Sequence, residues 1–131
     1  MEMFASDPIV HAAWENRFKI HKSGEIIKFD KSCLWKEALF NLEKEKNILG
    51  MLKYVLYQDR TSNHWRVHSV PLELGSYDSR RPLREEWRGK TAEQIRNISR
   101  VKDAVFCHHS GFIGGAKSLE GCIKLADLSL K

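Results

Sequence analysis

Apolar positions along this chain change period several times, and each change marks an element. Met1 to Ser23 mixes Trp14 and Phe18 with charge, and Ala12, Ala13, Asn16, Arg17 and Ile20 read as the continuation of a helix from nearer the start. From Gly24 the pattern alternates. Glu25 to Phe29 predicts a short strand, ended by Asp30, Lys31 and Ser32. Ser32 can cap a helix whose apolar positions Leu34, Trp35, Leu39 and Leu42 recur at helical spacing. Glu43 to Lys46 form its polar end and Asn47 terminates it.

Met51 to Tyr57 places Leu52, Tyr54 and Leu56 on one face and Met51, Val55 and Tyr57 on the other, a strand buried at least partly on both sides. A polar turn, Gln58 to Asn63, leads into an alternating run from His64 to Val70, and the two strands read as an antiparallel hairpin. Pro71 to Arg81 is irregular. Leu83 to Gly89 is read as a turn of helix, and Thr91 can cap a short helix with Ile95 and Ile98 facing inward. Ala104 to Cys107 is a further strand. Ser118 then begins a helix with Leu119, Cys122, Ile123, Ala126 and Leu130 on its apolar face.

The order strand, helix, hairpin, short helix, strand, helix predicts an α/β or α+β fold: a mixed, largely antiparallel sheet packed by helices. The 131 residues suit one domain. We assign 24–131 to it and read 1–23 as a linker or helix remnant from a preceding domain.

Composition changes this picture little. Hydrophobic residues make up 42%, enough for an ordinary core. Lys and Arg number 22 against 17 Asp and Glu, a net charge of +5 that favours polyanionic partners. The charges are interleaved, however, so a solvated mixed surface outweighs a nucleic-acid patch on charge alone. The three cysteines are far apart with no CxxC spacing, which excludes a disulfide framework and a thiolate zinc site and fits reduced thiols inside a cell. His64 and His68, four apart on a strand, lend little support to zinc. No apolar stretch approaches membrane-spanning length, so no membrane partner is expected.

The candidate chemistry lies in the segment Phe106 to Gly115, FCHHSGFIGG, between a strand and a helix. Its three glycines let the backbone take positive φ and approach a ligand closely. The helix starting near Ser118 offers free N–H groups to a phosphate or carboxylate. His108 and His109 are adjacent, so on a strand end only one should face a cavity. That imidazole could donate to a phosphate oxygen or act as acid or base. A turn whose glycines serve packing alone is the competing reading. Upstream, Arg80, Arg81, Arg84 and Arg88 supply guanidinium forks suited to phosphate, Tyr77 and Trp87 could offer stacking faces for a base (with core the favoured reading of Trp87), and Glu85 and Glu86 could pair with the arginines instead.

Ser76-Tyr77 to Arg80, Leu83, Glu86-Trp87-Arg88-Gly89, then Phe106, His108, Ser110 to Gly115 and Glu120-Gly121 resemble the C-terminal half of the melanocyte-proliferating-gene exonuclease family, which is similar to DHH-type phosphoesterases. Gly24-Glu25-Ile26, Trp35-Lys36-Glu37 and Trp65-Arg66-Val67 extend the match. Tyr77 stands where Phe is common, Lys90 where Leu is usual, and Ser118 where Thr is usual.

The resemblance implies a 3′-5′ exonuclease acting on RNA, in nucleus and mitochondrion, with a cleft between two domains. This chain would be the DHH-associated C-terminal domain, partnered by its own N-terminal catalytic domain. That half carries paired Asp and His clusters for divalent metals (Mn or Mg), and no such constellation occurs in this sequence. The parent is a hydrolase and this chain alone is expected to be inactive. Carried over, His108, Ser110, Gly111, Gly114 and Gly115 would bind RNA or a nucleotide phosphate, with Arg80 as an added anion clamp. The alternatives are a stand-alone nucleotide or nucleic-acid binding module and a purely structural domain.

Overall fold

In the computed structural model, which describes residues 7–30 and 33–131, strand β1 (Ile26–Lys28) runs through helix α3 (Lys36–Glu45) to strand β2 (Tyr54–Gln58). β1 and β2 are parallel, with Ile27 opposite Val55. Such a pair cannot be joined by a tight turn, and α3 is the crossover that makes it possible. The helix cap expected at Ser32 lies outside the described residues.

Polar residues 59–64 turn β2 into β3 (Trp65–Ser69), antiparallel as the alternation predicts, with Leu56 opposite Val67. Asn63 takes a left-handed φ of 62° in this turn, a conformation its short polar side chain tolerates. β4 (Ala104–Cys107) and β5 (Ile113–Ala116) form a second hairpin, and β5 inserts between β3 and β4. The sheet order is β1-β2-β3-β5-β4, and every pair but the first is antiparallel. This is the mixed, largely antiparallel sheet that the sequence predicts.

One strand departs from the expectation. Residues 113–116 read as loop because glycine is a poor strand former, yet they form β5. Close neighbours explain the glycines. A Cβ on Gly114 would lie 2.8 Å from Leu83 Cδ1, and one on Gly115 would lie 2.8 Å from Phe106 Cε1 and 3.0 Å from the Trp65 carbonyl oxygen. The strand is paired on both sides and the missing side chains make room for its neighbours.

Helices cover both faces of the sheet. Tyr54, Leu56, Val67, Ala104 and Ala116 pack with Cys122, Leu125 and Ala126 of helix α5 (Leu119–Leu130) and with Trp87 and Ile95. Ile95 belongs to helix α4 (Ala92–Ser99), whose Thr91 makes the expected capping box with Gln94. Trp87 closes a single 3-10 turn, Glu85–Trp87. Ile98 is exposed rather than inward, because the buried stripe of α4 runs through Ile95 and Ser99. The opposite face buries Ile27 and Val55 under Leu39, Phe40 and Leu42 of α3. Val10, Ala13 and Trp14 of helix α1 (Asp7–Glu15) join that core, and α2 (Arg17–Ile20) follows. Packing therefore continues across Gly24 without a break.

Candidate functional site

Two loops meet at the end of the sheet. The first follows β3: Pro71 bridges to Ser79, the Leu72 N–H donates to the Asp78 carbonyl at 2.8 Å, and the Arg80 N–H returns to the Val70 carbonyl at 2.9 Å. The second is the β4–β5 turn. Here the Gly111 N–H donates to the His108 carbonyl at 2.9 Å, and Gly111 takes φ 78°, open chiefly to glycine. A Cβ at Gly111 would also lie 2.7 Å from Arg88 Nε. The Phe112 carbonyl accepts from the Ser69 N–H at 2.7 Å and the Gly111 carbonyl from the Leu83 N–H at 2.8 Å, so the turn is pinned to its surroundings.

Between the loops lies a cavity of about 630 Å³ lined by Lys36, His68, Tyr77, Ser79, His108, His109, Ser110 and Phe112, among others. Within it the Ser110 N–H donates to His108 Nδ1 at 3.1 Å, and the Ser110 hydroxyl lies 2.9 Å from the same nitrogen. An Nδ1 that accepts from a backbone N–H carries no proton, so the neutral ring holds its proton on Nε2. That N–H has no hydrogen-bond partner among the described residues.

His109 differs from the expectation that adjacent histidines diverge. The two rings lie together with centroids 4.1 Å apart and planes tilted by 32°, because β4 ends at Cys107 and both residues belong to the turn. Phe112 meets His108 edge-on at 4.7 Å and His68 at 5.4 Å, and His68 in turn meets Trp35 at 5.2 Å. His68 forms part of the wall. Burial, with a smaller push from the Lys36 charge, holds its imidazole down to about 4, so it is neutral at pH 7. The Tyr57 hydroxyl is 3.3 Å from its Nδ1.

The other expected contacts lie elsewhere. Arg80 is turned inward: its guanidinium forks onto Glu43 at 2.7 and 2.8 Å, donates to the Leu52 carbonyl at 3.0 Å and lies over the Phe40 ring. Glu43 is 0% exposed and the Arg80 side chain 6%. A guanidinium so enclosed is no surface anion clamp, and Glu43 is no part of a solvated helix end. Gly114 and Gly115 are buried within β5, and Gly111 shapes the turn without lining the cavity. The N-terminus of α5 lies at the opposite end of β5 from the turn, where the Ser118 hydroxyl donates to Asp103 at 2.5 Å and accepts from the Gly121 N–H. An internal carboxylate already sits where an anion was expected.

Two of the remaining arginines serve the last turn of α5, while Arg88 Nε donates to the Leu83 carbonyl at 2.9 Å. Arg81 donates to the Ser129 carbonyl at 2.9 Å and Arg84 to that of Leu128 at 3.1 Å, while Arg84 Nε pairs with Glu86 at 2.6 Å. Cations at a helix C-terminus satisfy carbonyls that have no intrahelical partner. Burial pushes Cys107 up to about 11 and Cys122 up to about 12, so neither thiol is a ready nucleophile. Among the described residues no three His, Cys, Asp or Glu side chains converge as a metal site would require. None of the described helices is long and apolar enough to cross a membrane.

A family model described as "Uncharacterised protein family (UPF0160)", the MYG1 exonuclease family, matches residues 2–130. The chain belongs to this family. Its similarity to curated MYG1 relatives is close throughout: 49% identity to a Dictyostelium discoideum MYG1 protein, over 90% of this chain and 36% of that one. The MYG1 exonuclease of Bos taurus is 42% identical and that of Homo sapiens 38%, each over 93% of this chain and 32% of the relative. The chain thus spans about a third of the length of these MYG1 proteins. No solved structure matches it.

His108, Ser110 and the ring of Tyr77 are the sequence-derived candidates that the fold brings to the cavity, while Trp87 is core. Lys36, His68 and His109 were not chosen from sequence. For His68 a signal existed, since its position alternates with Val67 and so faces away from the α5 side, but nothing local shows that the face remains open there.

Proposed function

We propose that this chain is the substrate-holding domain of a metal-dependent 3′-5′ RNA exonuclease of the DHH-type phosphoesterase kind. It grips a phosphate or nucleotide while another part of the longer protein cuts. The observation that carries this reading is His108: Ser110 fixes its tautomer and leaves an N–H donor on Nε2 in a cavity of nucleotide size. Lys36, which also lines the cavity, adds a positive charge for an anion, against the single carboxylate of Asp78 in the same lining.

Gly111 shapes the turn that carries these groups, Gly114 and Gly115 let β5 pack beneath it, and Arg80 anchors the facing loop through Glu43. Hydrolysis by activated water needs metal-binding carboxylates and imidazoles. The described residues do not gather such a set, so manganese or magnesium would be held in the catalytic part and no step through a metal is derived for this chain. Action on RNA in nucleus and mitochondrion rests on the family resemblance.

Fluorescence anisotropy with a short single-stranded RNA tests the reading. Binding is expected to weaken with salt, and His108→Ala should cost about tenfold in affinity, the worth of one charge-assisted hydrogen bond. Added manganese should produce no hydrolysis. Absence of RNA binding, or robust metal-dependent cleavage by this chain alone, overturns the proposal.

A further inference from the structure

The ring of Tyr77 is 99% exposed. An aromatic of this size held in water contributes nothing to the core, and both buried clusters of the domain form without it. Its position is specific. It stands on the 71–79 loop and lines the cavity from that side. The β4–β5 turn lines the cavity from the other, presenting the adjoining imidazoles of His108 and His109, tilted by 32°, and the Phe112 ring edge-on to His108. The loop bearing Tyr77 is held by the Pro71–Ser79 bridge and by the Arg80 backbone N–H bonded to Val70.

We infer that this cavity grips a nucleobase, sandwiched between Tyr77 and the His108–His109 pair, in addition to the phosphate. The inference rests on the substrate-holding reading above and deepens it. A slot lined only for phosphate would need cations and N–H donors; aromatic surface on two facing loops suits a flat π-system. The cavity is far larger than a phosphate and falls in the range of nucleotide-sized ligands. Stacking reads the π-face rather than the edge, so the grip tolerates all four bases, with purines held somewhat more tightly than pyrimidines. Lys36, also lining the cavity, is left for the sugar-phosphate.

Titration calorimetry of this chain with AMP, UMP and ribose 5-phosphate tests the inference. AMP should bind about tenfold or more tightly than ribose 5-phosphate, the effect of stacking one base. Tyr77→Ala should abolish most of that advantage while leaving ribose 5-phosphate unchanged, and Tyr77→Phe should preserve it. Because Tyr77 packs into neither core, its variants should fold normally, and a circular dichroism melt checks this. Should AMP bind no better than ribose 5-phosphate, or Tyr77→Ala keep full AMP affinity, the base grip is wrong and phosphate holding stands. If neither mononucleotides nor RNA bind, the substrate-holding reading fails and takes the base grip with it.

Discussion

Replacing Arg80 with alanine separates structure from binding. In the folded chain the Glu43 carboxylate is 0% exposed and receives two guanidinium contacts from Arg80 and one from the Leu52 N–H at 2.9 Å. Arg80→Ala leaves that carboxylate buried with a single donor, and removal of one partner from a buried pair costs about 3–5 kcal/mol. A domain of this kind holds about 5–15 kcal/mol in all, so the loss is a large fraction of stability and lowers the melting temperature by about 10 °C or more. Urea unfolding followed by tryptophan fluorescence reads the change. The double variant Glu43→Leu with Arg80→Met should lie closer to wild type than either single variant, since it leaves no orphan charge. RNA affinity, measured well below the melting point, should change little, because backbone contacts of Pro71 with Ser79 and of Arg80 with Val70 still hold the loop. If Arg80→Ala costs less than about 1 kcal/mol, as exposed pairs do, and abolishes RNA binding, then Arg80 is an anion clamp after all.

Two further outcomes follow from the packing. His68 is held near 4 in the fold against about 6.5 when unfolded, so between these values only the unfolded chain takes up its proton. Its contribution is complete above about pH 6.5 and is lost as pH falls toward 4, with a ceiling of about 3 kcal/mol. Urea midpoints at pH 7 and pH 5 should therefore fall more for wild type than for His68→Gln, and parallel pH dependence would refute the assignment. Gly115→Ala forces a methyl group against Phe106, Arg66 and the Trp65 carbonyl, and overpacking of this sort costs about 1–3 kcal/mol. A neutral substitution in thermal melts would mean that β5 is not packed as described.

Elements with local chemical signals were legible in the sequence. Thr91 with Gln94 spells a capping box, Ser118 caps α5, and the alternation through β2 and β3 announces a hairpin. Trp87 reads as core and is core. The failures share a cause, which is that the deciding partner lies far away in sequence. Glu43 looks like a solvated helix end until Arg80 reaches it. Ile113–Ala116 looks like a loop because what makes it a strand is pairing to β3 and β4, not its own propensity. The strand rule sends His108 and His109 to opposite sides, but β4 ends at Cys107 and both lie in the turn beyond it, where their rings come together. Of the candidate site, His108, Ser110 and the ring of Tyr77 are visible in the sequence. That Tyr77 lies across from the histidines is not, because no local pattern says which loop will face a given turn.

The β3–β5 pairing has a kinetic consequence. Val67 lies opposite Gly114, and everything from Val70 through β4 must be closed into a loop before the two strands meet. Such closure carries an entropic cost that local hairpins avoid, and non-local pairing slows folding. The β2–β3 hairpin and α4 can form early from neighbouring residues, whereas the two halves of the cavity sit on opposite sides of this late junction. A nascent or partly folded chain therefore has no binding site to offer. Conversely, any ligand that bridges the two loops holds the junction shut, and its binding free energy should appear as stability of the whole domain rather than of one loop.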